Sequence, residues 1–158
     1  QIRAAILAGE FDELRAEAAA QNLNGELLGT LVRFALFPAL SALAAQLAPL
    51  HGTARWEHGF CPSCGGPPLL AEQRGLEQLR SLRCGQCASE WQADRLWCPF
   101  CGTHDHKQLA YLHTESDEQR RAATCDNCHG YVKVLATLAP ILPESVVDRT
   151  PTFRRSCL

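Results

Sequence analysis

The sequence lacks the familiar signatures of catalysis. It has no glycine-rich phosphate loop, no nucleophile elbow and no pair of carboxylates with an evident task, so no catalytic residue is assigned. Basic charge is also sparse. The pairs Arg120-Arg121 and Arg154-Arg155 are too short for a nucleic-acid footprint, and the formal net charge is −2. Eight thiolates on two divalent ions would add about −4, leaving roughly −6 on the loaded protein. Such a charge does not attract nucleic acid or an anionic membrane.

Residues 1–50 contain neither cysteine nor histidine and are rich in alanine and leucine. No segment joins a basic start, an apolar centre and a small-residue cleavage site, so no signal peptide is expected. Leu27–Leu50 is the one apolar stretch of membrane-spanning length. Arg33, Pro38 and Gln46 interrupt it, which favours a core-facing helix over membrane insertion. The start at Gln1 and the stop after Ser156-Cys157-Leu158 leave open a longer parent chain.

What the sequence has instead is paired cysteine. Residues 61–128 hold four Cys-x-x-Cys pairs: Cys61/Cys64, Cys84/Cys87, Cys98/Cys101 and Cys125/Cys128. A two-residue spacer turns both sulfurs toward one ion, so two four-thiolate metal sites are the first reading, ahead of disulfides or redox dithiols. Four thiolates leave no open coordination position, which makes such sites structural or electron-transferring. Zinc and iron both suit them. His58, His104, His106, His113 and His129 are expected outside the ligand set, and Cys157 is expected to be a free thiol.

The pairs belong to a tandem repeat. Each copy runs from a Cys-Pro-x-Cys-Gly turn through a strand, a polar turn, a second strand and a second pair, into a further strand. The first copy uses Pro68–Gln73, Leu79–Arg83 and Ser89–Leu96; the second uses Lys107–Glu115, Arg121–Thr124 and Gly130–Leu138. The repeat pairs the cysteines in sequence, first with second and third with fourth; the interleaved arrangement is the alternative. Pro62 and Pro99 pre-set φ in the first turns, and Gly65 and Gly102 permit the positive φ that brings an amide toward sulfur. Ala88 and His129 occupy the corresponding positions of the second half-sites.

Ahead of the repeat, residues 1–21 read as helix, and a second helix is expected from Glu26 to about Leu47. Gly25 suits a helix C-terminus of positive φ, and Pro38 is expected to kink or interrupt the second helix. That helix is apolar nearly all round, so burial in a core is expected first and a partner groove second. Trp56 is expected to cover the metal unit. The fold class is therefore α+β: an N-terminal helical bundle followed by two tandem zinc-ribbon or rubredoxin-like modules of short antiparallel strands. The expected divisions are a helical domain at 1–52, ribbons at 53–97 and 98–139, and an extended tail at 140–158.

Further residues carry a family likeness. They are Trp56-x-x-Gly59-x-Cys61-Pro62-x-Cys64-Gly65-x-x-Pro68, Cys84-x-x-Cys87-x-x-Glu90-Trp91-x-x-x-Arg95 and Cys98-x-x-Cys101-Gly102. Tyr111, Arg121-Ala122-x-x-Cys125-Asp126-x-Cys128 and Tyr131-x-Lys133 complete the set. Over roughly residues 26 to 138 the chain resembles the formate dehydrogenase accessory (FdhE-type) proteins. The resemblance implies a cytoplasmic assembly factor, not an enzyme, that binds the catalytic subunit of formate dehydrogenase. It also implies rubredoxin-like iron or zinc knuckles whose ligands are the eight paired cysteines. A homodimer is left open as a further partnership. The rivals are an iron redox protein and a zinc-ribbon nucleic-acid binder.

Overall fold

The computed structural model describes residues 12–50, 56–114 and 117–142. The expectations for residues 1–11, the boundary at 51–53, the turn at 116, Cys157 and the tail from 143 lie outside the described residues.

Helix α1 (Asp12–Ala20) leads through a tight turn into α2 (Gly25–Leu47). The turn uses its residues differently from the sequence expectation. Asn22, not Gly25, takes the left-handed conformation, with φ 56°. The Leu23 amide then reaches back to the Ala18 carbonyl at 2.8 Å and closes α1. Asn24 caps α2 by accepting from the Leu27 amide at 3.0 Å, and Gly25 opens that helix. Glycine there has a packing reason: a Cβ would lie 3.0 Å from the Arg15 Cα. Pro38 lies inside α2 without ending it.

The cysteine-rich part forms six strands: β1 (Pro68–Arg74), β2 (Leu79–Cys84), β3 (Glu90–Gln92), β4 (Leu109–Thr114), β5 (Asp117–Cys125) and β6 (Tyr131–Thr137). They join in one sheet of order β3-β2-β1-β6-β5-β4. Within each half the pairing is antiparallel, as the repeat implies. The halves meet through a parallel pairing of β1 with β6, running from Leu70 opposite Lys133 to Arg74 opposite Thr137. The sheet is therefore mixed, with its parallel contact at the centre. That is where strands buried on both faces belong: Leu70, Ala71, Glu72 and Gln73 of β1 are all buried, as are Val132, Val134 and Leu135 of β6.

One core serves both halves. Ala71 and Leu82 pack with Cys61, Cys84, Cys87 and Trp97 from the first copy, and with Val132 and Val134 from the second. Each full burial of a leucine- or valine-sized side chain contributes about 1.5–3 kcal/mol. Trp56 covers this cluster as expected, and its indole N–H donates to the Phe60 carbonyl at 2.6 Å. Ala44 and Leu40 of α2 pack on the same cluster, while Ser41 donates to the Cys87 carbonyl at 3.0 Å.

Helix α2 is not the buried core helix that its composition suggests. Leu27, Leu31, Phe34 and Leu43 are 57%, 55%, 71% and 50% exposed. A small sheet offers one strip of contact, and the rest of an all-round apolar helix remains uncovered by the described residues. By length and composition alone, Gly25–Leu50 also qualifies as a bilayer-spanning segment, a property shared by core helices of soluble proteins.

A second close approach ties the halves together. Gly59, two residues before Cys61, lies against the backbone of Pro99 in the next metal turn, where a Cβ would fall 1.6 Å from the Pro99 carbonyl oxygen. Gly59→Ala should therefore destabilise the metal-loaded protein by about 1–3 kcal/mol, since backbone must move to relieve the overlap. Thermal denaturation checks this; an unchanged melting temperature would place Gly59 away from Pro99.

Candidate metal centres

Four short turns carry the cysteines, and all four repeat one hydrogen-bonding scheme. The amide of each leading cysteine donates to the carbonyl five residues on: Cys61 to Gly66, Cys84 to Ser89, Cys98 to Thr103 and Cys125 to Gly130, at 2.8–3.0 Å. The carbonyl of the same cysteine receives the amide four residues on, from Gly65, Ala88, Gly102 and His129, at 2.8–3.2 Å. The residue after each second cysteine must adopt positive φ. Gly65 and Gly102 do so without steric cost, at 74° and 75°. Ala88 and His129 adopt it too, at 60° and 57°. A left-handed conformation costs such residues roughly 1–2 kcal/mol, which the surrounding turn must offset.

These turns bring the sulfurs together in the sequential pairing. Cys61, Cys64, Cys84 and Cys87 form one group, and Cys98, Cys101, Cys125 and Cys128 form the other. Across the first group the Cys61–Cys87 and Cys64–Cys84 sulfurs are each 3.5 Å apart; across the second, Cys98–Cys128 and Cys101–Cys125 are each 3.7 Å. A tetrahedron with metal–sulfur bonds of about 2.3 Å has edges of about 3.8 Å, so both groups could hold one ion apiece. Amides already point at sulfur, from Ser63 to Cys61 at 3.4 Å and from Gln86 to Cys84 at 3.3 Å. Such bonds offset thiolate charge.

Histidine does not join either group among the described residues. His58 instead stacks on Phe60 with ring centroids 5.1 Å apart, and His104 tilts against Trp97 at 6.4 Å.

The two groups differ in shelter. Cys61, Cys84 and Cys87 are buried and Cys64 is half-buried, under α2 and Trp56. In the second group Cys101 is exposed and Cys128 half-buried. The Asn127 side chain donates to the Cys101 sulfur at 3.4 Å and is the main cause lowering that thiol to about 6. Burial instead pushes Cys98 up to about 12. An exposed ligand sulfur is where a competing ligand first gains access. Under a thiol or chelator challenge, metal should leave in two phases, the fast one from the second group. Replacing Cys101 by serine identifies that phase; equal release rates in the parent protein would contradict the difference in shelter.

A charged cluster beneath the first ribbon was not foreseen. Glu72 is buried on β1 and accepts from Arg83 at 2.7 Å, from Arg74 at 2.9 Å and from the Ile141 amide at 3.0 Å. Glu90 bonds Arg74 at 2.6 Å and also pairs with Arg83. Arg83 further donates to the Ile141 carbonyl at 2.7 Å. Glu90, a residue of the family pattern without an assigned role, thus belongs to a network that pins residue 141 to the sheet. The available signal was the presence of Glu72, Arg74 and Arg83 within otherwise apolar or cysteine-bearing strands.

Comparison with known proteins places this arrangement. A model described as "FdhE, central domain" matches residues 60–95, the stretch from the first metal turn through β3. The protein named FdhE homolog of Pseudomonas aeruginosa is 37% identical over 147 residues, covering 82% of this chain and 41% of its own length. Protein FdhE of Escherichia coli strain K12 is 40% identical over 124 residues, covering 72% of this chain and 38% of its own length. A crystal structure of the FdhE protein from Pseudomonas aeruginosa superposes with a TM-score of 0.56 at 31% identity, over 84% of this chain and 42% of that one. The chain belongs to the FdhE family. It spans about two fifths of the length of the FdhE relatives it matches. The match from residue 60 to 95 takes in the Cys61, Cys64, Cys84 and Cys87 group together with Glu72, Arg83 and Glu90. The FdhE central-domain pattern therefore covers both a candidate metal site and the buried charges below it.

Proposed function

We propose that the chain is the metal-binding part of an accessory protein that assists maturation of formate dehydrogenase in the cytoplasm by docking on its catalytic subunit. The observation that carries this reading is a pair of closed four-cysteine groups set in one sheet of an FdhE-family chain. Cys61, Cys64, Cys84 and Cys87 would ligate one ion, and Cys98, Cys101, Cys125 and Cys128 the other, each zinc or iron. With all four positions taken by thiolate, neither ion would offer a substrate a coordination site. The role is then that of a stiffened docking surface without turnover of its own. The uncovered apolar strip of α2 has the character of a protein-contact surface and supports the same reading.

A tagged chain should copurify with the formate dehydrogenase catalytic subunit from cells making that enzyme. Absence of association, together with normal formate dehydrogenase activity in a deletion strain, would overturn the proposal. One observation favours a second reading, an iron redox protein: the exposed Cys101 brings the second group to the surface, where an electron could cross. Anaerobic purification with absorption spectroscopy and metal analysis separates the two. Zinc in full stoichiometry at both groups rules out the redox reading.

A further inference from the structure

Arg80 on β2 is 4% exposed, and no carboxylate among the described residues pairs with it. Its two hydrogen bonds both leave Nη1, to the Trp97 carbonyl at 2.7 Å and the Asp94 carbonyl at 3.1 Å. Nε has no partner, so the Nε–Nη2 edge of the guanidinium makes no hydrogen bond within the described protein. A buried cation left in this state is costly unless something compensates it. By contrast, the neighbouring buried arginine, Arg83, has two glutamates.

Arg80 also lines a cavity of about 130 Å³ between the two halves of the sheet. Arg95, from the family pattern, is exposed and forms part of the same wall, as do Tyr111 and Thr124; Leu109, Ala123 and Val132 supply apolar surface. No aspartate or glutamate lines it. The Tyr111 hydroxyl accepts from Gln73 at 3.0 Å, which leaves its own proton free to donate. The cavity thus combines two guanidiniums and a hydroxyl, an apolar lining and room for a ligand of a few heavy atoms.

We propose that this cavity binds a small monocarboxylate, with Arg80 as the principal contact and Arg95 at the rim. A guanidinium edge matches a carboxylate in shape and in donor spacing. The charge of the surroundings selects among anions. Cys98 and Cys125 also line the cavity, and four thiolates around a divalent ion carry about −2. That negative charge nearby opposes a second one on the ligand, so a singly charged anion is accepted where sulfate or phosphate is resisted. A carboxylate presented by a protein side chain and a free one share this chemistry; the size of the cavity favours the free acid or the tip of a short acidic side chain.

The test uses the full chain loaded with zinc, titrated with sodium acetate at constant ionic strength and followed by nitrogen–proton NMR of the Arg80 Nε–H and the Trp97 indole. The expected result is a saturable shift at both groups, with sulfate at the same ionic strength at least about tenfold weaker. Arg95→Gln, a surface change, should weaken acetate binding several-fold while leaving the fold and both metals in place. Arg80→Gln should abolish it; should that variant fail to fold, Tyr111→Phe, which removes a donor, is expected to weaken binding instead. A soluble peptide ending in aspartate that competes with acetate would point to a protein carboxylate as the source, and one that does not compete would point to a free acid. Linear, non-saturating shifts shared by acetate, chloride and sulfate would overturn the site. So would loss of the second metal from Arg80→Gln in a parent protein that never responds to acetate, because Arg80 would then serve only as counter-charge to the thiolates.

Discussion

Replacing Cys84 and Cys87 by serine is expected to remove one metal ion and to weaken the hold on the other. A four-cysteine zinc site contributes on the order of 10–16 kcal/mol in small metal-dependent units, as much as the whole net stability of a typical domain. The loss cannot stay local, because Cys84 and Cys87 share a core with Val132 and Val134 of the second copy and with Trp97, which directly precedes Cys98. The second group is also reached from the first by Arg80, whose Nη1 holds the carbonyl just before Cys98, and by Gly59 against Pro99. Native mass spectrometry should show less than one ion per chain at zinc concentrations that fill both groups in the parent. The near-ultraviolet circular dichroism of the tryptophans should collapse with it. A variant that keeps its second ion at full affinity and melts as before would mean that the halves are independent.

Glu72→Ala is expected to cost about 3–5 kcal/mol, the range for removing one partner of a buried ion pair. Glu72 is 1% exposed and meets Arg83, Arg74 and the Ile141 amide. Arg83 already has Nε and Nη1 unpartnered, so once Glu72 is gone it keeps only the more exposed Glu90 and the Ile141 carbonyl. Glu72→Gln keeps the shape and an acceptor but not the charge, and should lose less. Replacing Glu72 and Arg83 together by leucine should recover much of the loss, because no buried charge then remains at that pair, although Glu90 and Arg74 still meet each other. Denaturant unfolding of the zinc-loaded protein ranks the variants. Equal stability of Glu72→Ala and the parent would show that the pair contributes nothing net.

The grouping of the cysteines in the candidate site was legible almost residue by residue, because a four-cysteine group is written in local spacing. Eight cysteines in pairs, with Pro62, Pro99, Gly65 and Gly102 around the leading pairs, foretell the turns and their grouping. Strand order within each copy was legible for the same reason, since each hairpin joins two pairs already known to converge. Ser89–Leu96 was too long by comparison: only Glu90–Gln92 pairs with β2. The seam between β1 and β6 was not foreseen, because strands so far apart in sequence carry no local signal of their partner. Buried Glu72 and Arg83 were hidden by the rule that charges lie outside, which fails where opposite charges meet. Helix α2 misled in the opposite sense. Its apolar residues describe a surface that wants cover, and the described residues supply little of it.

The parallel seam also sets an order of events in time. All four cysteines of the first group have been translated by Cys87, well before β6 emerges at Tyr131. A nascent chain can therefore close its first thiolate group while the β1 edge is still unpaired, since β1 lies between β2 and a strand not yet made. At synthesis rates of roughly 5–20 residues per second that interval lasts several seconds, a window in which Leu70 and Ala71 are open to a chaperone or to another nascent copy. Arrival of β6 shuts the window and joins the second group to the first.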